Sequence, residues 1–164
     1  MTDTPIIQLH FLRHADAGAP GDYSGADEGR PLSAKGEAQA ERLGRLLASA
    51  GFAPDAIIAS PRLRALRTAE IVAAALGREV RVDERLGDSL DHVALEAILF
   101  DAGEPVRPVL VGHDPDFSEL VSALVGGEVQ LRKAALARVD AARPLKPGAG
   151  TLRWLVPPDL LGSR

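Results

Sequence analysis

The chain has 164 residues, 46% of them hydrophobic and 26% charged, with a net charge of −4. That balance belongs to a folded chain of one domain's length and argues against disorder. The acidic surplus argues against a nucleic-acid binder, and the absence of cysteine excludes disulfides, thiolate nucleophiles and cysteine-held metals.

The opening Met1-Thr2-Asp3-Thr4-Pro5 lacks the basic start and apolar stretch of a signal peptide. No apolar run is long enough to span a bilayer, so a cytoplasmic protein without membrane or nucleic-acid partners is expected. Ile6 to Leu12 is β-prone and reads as a strand ending at Arg13-His14. Gly18 to Pro31, rich in Gly, Pro and Asp, reads as a loop. Ser33 is placed to cap a helix whose stripe is Leu43, Leu46, Leu47 and Ala50, closed by Gly51. Ala56 to Ala59 is a second strand, broken by Ser60-Pro61. Ala65, Ala69, Val72, Ala73 and Leu76 form the stripe of a second helix, ended by Gly77. Arg64, in its first turn, is expected to add little to the core.

Val80 to Val82 reads as a third strand and His92 to Phe100 as a third helix. Val106 to Val111 is a fourth strand. Asp114 then caps a helix with Pro115 at its first position, running to about Val125 and stopping at Gly126-Gly127. Val129 to Val139 and Thr151 to Val156 read as strands at an antiparallel far edge. Alternating strands and helices predict an α/β protein, a three-layer α/β/α sandwich on a mostly parallel sheet. No repeat or linker divides residues 1–164, which read as one domain. The oligomeric state is left open, and a monomer is compatible with the sequence.

In such sheets ligands bind beyond the carboxyl ends of the strands. The first strand delivers Arg13 and His14 there, the second Ser60, Arg62 and Arg64, and the fourth Gly112 and His113. Arginine is permanently charged and grips two phosphate oxygens at once. Histidine can carry a phosphoryl group covalently, and a helix N-terminus adds N–H donors. Taken singly, each residue has an ordinary role: a strand terminator, a helix cap, a solvated arginine. Jointly, three strand ends supplying one chemistry point to phosphoryl transfer. With no His-x-x-x-His and no carboxylate cluster, neither a metal nor another cofactor is expected.

Leu12-Arg13-His14-Ala15, Ser60-Pro61-Arg62-Leu63-Arg64-Ala65-Leu66-Arg67-Thr68-Ala69 and Val111-Gly112-His113-Asp114-Pro115 resemble, in this order, the three blocks of the histidine phosphatase superfamily. Asp27-Glu28-Gly29-Arg30-Pro31-Leu32-Ser33, Gly36 and the Gly-His-Asp-Pro block are similar to its bacterial SixA-type phosphohistidine phosphatases. The resemblance implies a phosphoglycerate mutase-like fold, with His14 taking the phosphoryl group and Arg13, Arg64 and His113 holding its oxygens. It also implies a substrate that is a phosphorylated protein side chain or a small phosphorylated molecule, admitted by a short chain with little room for a lid. Members of the family it resembles often place a Glu acid shortly after the third strand, where Leu86-Gly87-Asp88 makes Asp88 the candidate here, with Asp16, Glu84 or no acid as alternatives. Asp27 and Arg30 could receive substrate or be plain loop residues. Lys133 could face the cleft or the solvent. The expected activity is hydrolysis of phosphohistidine on a signalling protein. The alternatives are a small-molecule phosphomonoesterase and a module that binds phosphate without turnover.

Overall fold

In the computed structural model, which describes residues 4–162, six strands form one sheet. They are β1 (Ile6–Arg13), β2 (Ala56–Ala59), β3 (Arg81–Val82), β4 (Pro108–Gly112), β5 (Leu136–Ala142) and β6 (Thr151–Val156). The order is β3-β2-β4-β1-β5-β6. The pairs β3–β2, β2–β4 and β4–β1 are parallel, while β1–β5 and β5–β6 are antiparallel. The first three residues, read above for an export signal, and the last two lie outside the described residues.

Strand alternation builds the layers. Leu9, Phe11, Ile58 and Leu110 point to the face covered by α3 (His92–Asp101) and α4 (Asp116–Val125), where they meet Leu95, Ile98, Phe117 and Leu120. Leu12, Ile57, Ala59, Val109 and Val111 point to the other face. There they meet Leu43 and Leu47 of α1 (Ala34–Ser49) and Ala65, Ala69 and Val72 of α2 (Leu63–Leu76). Central strands buried on both faces are why β2 and β4 read as unbroken apolar runs. The result is the expected three-layer α/β/α sandwich. No described helix is long and apolar enough to cross a membrane.

Three local expectations need correction. In α1, Leu46 and Ala50 are exposed, and the buried stripe instead runs through Gly36, Gln39, Ala40, Leu43, Gly44 and Leu47. The helix turns its small residues inward because it packs close against its neighbours. At Gly36 an added Cβ would overlap the Asp16 carbonyl. Second, residues 129–135 are not strand. Val129 N donates to Ser122 Oγ and Leu131 N to Ser118 Oγ, so α4 side chains, not a neighbouring strand, satisfy the N–H groups at 129 and 131. Third, α4 begins at Asp116 with Pro115 in the capping position. Asp114 still caps it, accepting from Ser118 N and Ser118 Oγ.

Candidate active site

The parallel strands β4, β1 and β2 end at the same edge, and each is followed at once by a polar residue. His14 N donates to Gly112 O across the β1–β4 seam, and Ser60 N donates to Val111 O across β2–β4. These bonds set His14, His113 and Ser60 side by side. The rings of His14 and His113 have centroids 5.3 Å apart. Below them, fully buried Thr68 ties α2 to the chain after β1: its hydroxyl donates to Arg64 O and accepts from Ala15 N.

His14 is buried, and its Nδ1 lies 2.7 Å from Ala15 O. A carbonyl oxygen only accepts, so Nδ1 carries the hydrogen and Nε2 keeps its lone pair. Burial, reinforced by Arg64, Arg13 and Lys133 and opposed by the Ala15 carbonyl, pushes its pKa down to about 4. At neutral pH it is an uncharged imidazole with a free nucleophilic nitrogen. His113, also buried, is lowered to about 3 by desolvation, then by His14, Arg64 and Arg62.

The arginines are held from behind. Arg13 Nη1 donates to Leu131 O at 2.8 Å, with the Asp114 carboxylate 3.7 Å away. Arg64 is 6% exposed, contrary to its expected place on a solvated turn. Its Nη1 donates to Asp27 O at 2.9 Å and its Nη2 to Asp27 Oδ2 at 3.2 Å. Buried Arg30 fixes that loop: Nε donates to Asp27 Oδ1, and Nη1 to the carbonyls of Ala17 and Gly18. Arg62 Nη1 lies 3.7 Å from Asp27 Oδ2. Asp27 is therefore a hub for three arginines, and the hydrogen bond from Arg30, with the charges of Arg64 and Arg30, holds its carboxyl below the usual range.

Residues 131–134 are tied to the chain around His14. Lys133 Nζ lies 3.2 Å from Asp16 Oδ1, and Ser33 Oγ donates to Asp16 Oδ2 at 2.6 Å. The Ser33 hydrogen bond, with Lys133, lowers the Asp16 carboxyl. Asp16 is thus an ion-paired carboxylate unsuited to donating a proton. Ala134 adopts φ 64°, and its N–H is shared by the carbonyls of Arg13 and His14, both at 3.0 Å.

Asp88 and Arg62 line a cleft of about 250 Å³ beside His113. Asp88 is exposed, with Oδ1 accepting from Ser89 N. Asp116 lines the same cleft and was not anticipated; its carboxyl is raised by burial and by Glu119, Asp114 and Asp88. Glu84 is exposed in the short 3-10 turn Glu84–Gly87 and does not line that cleft. A hollow of about 430 Å³ lies at the other end of the sheet, between Ile6, Val106 and Arg143, away from the histidines.

Fold and cleft together define a class: α/β proteins that gather two histidines and several arginines at the carboxyl edge of a parallel sheet. Residues 9–93 match the family model described as "Histidine phosphatase superfamily (branch 1)", and the chain belongs to that family. The match ends before β4, so His113 joins the site through the geometry above. An uncharacterised protein of Picosynechococcus sp. is 37% identical over 146 residues, covering 84% of this chain and 88% of its own. The protein named "Probable phosphoglycerate mutase GpmB" of Salmonella arizonae is 36% identical, covering 82% and 85%. The structure of the protein histidine phosphatase SixA complexed with tungstate superposes with a TM-score of 0.81 at 24% identity, covering 95% of this chain and 100% of SixA, and shares the fold.

Proposed function

We propose that the protein removes phosphoryl groups from phosphohistidine on another protein, through a covalent phosphohistidine at His14. One observation carries this reading. Of the four buried side-chain atoms without a partner among the described residues, three are Arg13 Nε, Arg64 Nε and His113 Nδ1. Such orphans are rare in folded interiors, and three around one histidine ask for a ligand rich in acceptors. A phosphoryl group has three oxygens and a negative charge to spread among them.

The chemistry balances without a metal. His14 Nε2 attacks phosphorus, the bond from phosphorus to the departing group breaks, and Arg13, Arg64 and His113 hold the equatorial oxygens. A phosphohistidine protonated on its second ring nitrogen departs as neutral imidazole and needs no added proton. Water then attacks the phosphorus on His14, the bond to Nε2 breaks, and the oxygen and both protons of that water leave in inorganic phosphate. His14 returns to its neutral form. The shared fold with SixA, solved with the tetrahedral oxyanion tungstate, supports the reading. A cytoplasmic setting belongs to it as well.

A second reading, a small-molecule phosphomonoesterase, is favoured by the carboxyls of Asp88 and Asp116 beside His113. An alkoxide leaving group requires such an acid. A module that only binds phosphate would not need the free lone pair that the Ala15 carbonyl leaves on His14. The test is kcat/KM for a phosphohistidine protein against a panel of phosphate esters, with His14→Ala as control. A clear preference for esters would replace the first reading with the second. Turnover unchanged in His14→Ala would end both.

A further inference from the structure

Ser60 follows β2 directly and is fully buried. Its Oγ lies 2.7 Å from His113 Nε2 and accepts the N–H of Arg62 at 3.2 Å. Gly87 closes over it: a Cβ there would stand 3.2 Å from Ser60 Oγ, and Arg62 Nη2 donates to Gly87 O beside it. Ser60 is thus sealed from water, and every hydrogen bond it makes is internal.

We infer that Ser60 is a positioning residue that fixes His113 as the tautomer with hydrogen on Nδ1. The inference rests on the functional reading above only for its catalytic consequence. Burial keeps His113 uncharged at neutral pH, so the ring has one hydrogen to place. If it sat on Nε2 and pointed at Ser60, the serine's own hydroxyl hydrogen would have no acceptor, because no other acceptor is bonded to Ser60 Oγ among the described residues. Nδ1 would then be a bare lone pair, buried and unpaired. With the hydrogen bond reversed, Ser60 Oγ–H donates to Nε2, Oγ accepts from Arg62, and both serine functions are satisfied. One unpaired group remains, and it is a donor, Nδ1–H.

That outcome matches the neighbours. Arg13 Nε and Arg64 Nε are also unpaired donors. Three donors attract an oxyanion, whereas a lone pair among them would repel it. Ser60 thus does for His113 what the Ala15 carbonyl does for His14: each fixes a tautomer, one to leave a lone pair free and the other to leave a hydrogen unpaired. It also gives the Leu86-Gly87-Asp88 segment a role apart from any acid, since Gly87 provides the close packing that keeps water from the Ser60 hydroxyl.

The test is long-range proton–nitrogen NMR of the protein with 15N-labelled histidine at neutral pH, where the two tautomers give distinct nitrogen shifts. His113 is expected with hydrogen on Nδ1, and added inorganic phosphate is expected to shift that nitrogen. Ser60→Ala is expected to move His113 towards the other tautomer and to lower kcat/KM by about tenfold to a hundredfold, approaching the loss of one preorganised donor. Ser60→Thr is expected to restore both. Wild-type His113 with hydrogen on Nε2 would overturn the inference, as would a folded Ser60→Ala with unchanged tautomer and kinetics. The spectrum of the wild-type protein needs neither substrate nor variant. If the functional reading fails, phosphate leaves both histidines unshifted while the tautomer is still read directly.

Discussion

Asp27 holds Arg64 from two sides, its main-chain oxygen on Nη1 and its carboxylate on Nη2. Nε, the remaining edge of the guanidinium, is left without a partner. The aspartate therefore sets the angle of the arginine. Asp27→Ala is expected to lower kcat/KM on the order of tenfold, within the range for a slightly misplaced catalytic group. Asp27→Glu, with a longer reach, is expected to recover only part. Kinetics unchanged in Asp27→Ala would mean that Arg64 is positioned by its burial alone.

Arg64→Lys keeps the charge but loses the planar fork and Nε. Turnover is expected to fall by roughly a hundredfold or more, the cost of one preorganised partner of the transition state. Because Arg64 is buried and fastens the 27–30 loop, its truncation to Ala is expected to lower stability as well, by about 1–3 kcal/mol. A thermal melt with the kinetics separates the two effects. A stable, active Arg64→Ala would remove this residue from the site.

A trapped, acid-labile phosphoryl label is expected on His14 and on neither His113 nor His10. His10 is an internal control. It is buried and its Nδ1 donates to a carbonyl, that of Pro108, but its ring packs against Phe52 and Trp154. Peptide mapping that placed the label on His113 would exchange the two roles.

With His14 as the proposed nucleophile, its low pKa of about 4 predicts no loss of the free imidazole between pH 5 and 8 and a falling kcat/KM as pH drops through 4. The same shift acts on stability. Between about 4 and 6.5 the unfolded chain protonates this histidine and the folded one does not, so acid favours unfolding there. The penalty for His14 is absent above 6.5 and reaches roughly 3 kcal/mol near pH 4. Denaturant midpoints measured from pH 7 to 4 should fall in wild type and fall less in His14→Gln. Parallel curves would contradict the shift.

Asp116→Asn is expected to harm hydrolysis of alkyl phosphate esters more than that of phosphohistidine, and more than Asp88→Asn does. Asp116 is the partly buried carboxyl whose proton is retained to higher pH, whereas Asp88 is exposed. Comparing kcat/KM isolates the loss in transition-state binding. Equal losses on both substrates would indicate a role in holding Arg62 or the α4 terminus. No loss in either variant would mean that the site works without an acid.

The strands β2 and β6 were legible to the residue because short β-prone runs bounded by turn residues (Pro54-Asp55 and Ser60-Pro61, Gly150 and Pro157) leave little choice. The histidines were legible because each follows a strand end directly, and the arginines because Arg13 closes β1 and Arg64 sits in the first turn of the helix after β2. What holds them was not. Thr68 could have been suspected, one turn beyond Arg64, but its bond to Ala15 N spans 53 residues. The pairing of Asp27 with three arginines depends on a loop whose path periodicity does not encode. The loop at 129–135 reads as strand because Val, Leu and Ala dominate its composition, and only the serines of α4 show where its backbone bonds go.

The shared N–H of Ala134 bears on how this scaffold tolerates change. A residue other than glycine in the left-handed region costs roughly 1 kcal/mol, and here that conformation brings one amide onto the carbonyls of both Arg13 and His14. An insertion near 134 would pull on His14 itself, so that segment is poor ground for altering what the protein accepts. The exposed stretch from Ala19 to Ala26 has no such attachment to His14. Libraries that vary length and sequence there, while keeping Asp27 and Arg30, should change which substrates approach and leave the reacting groups in place.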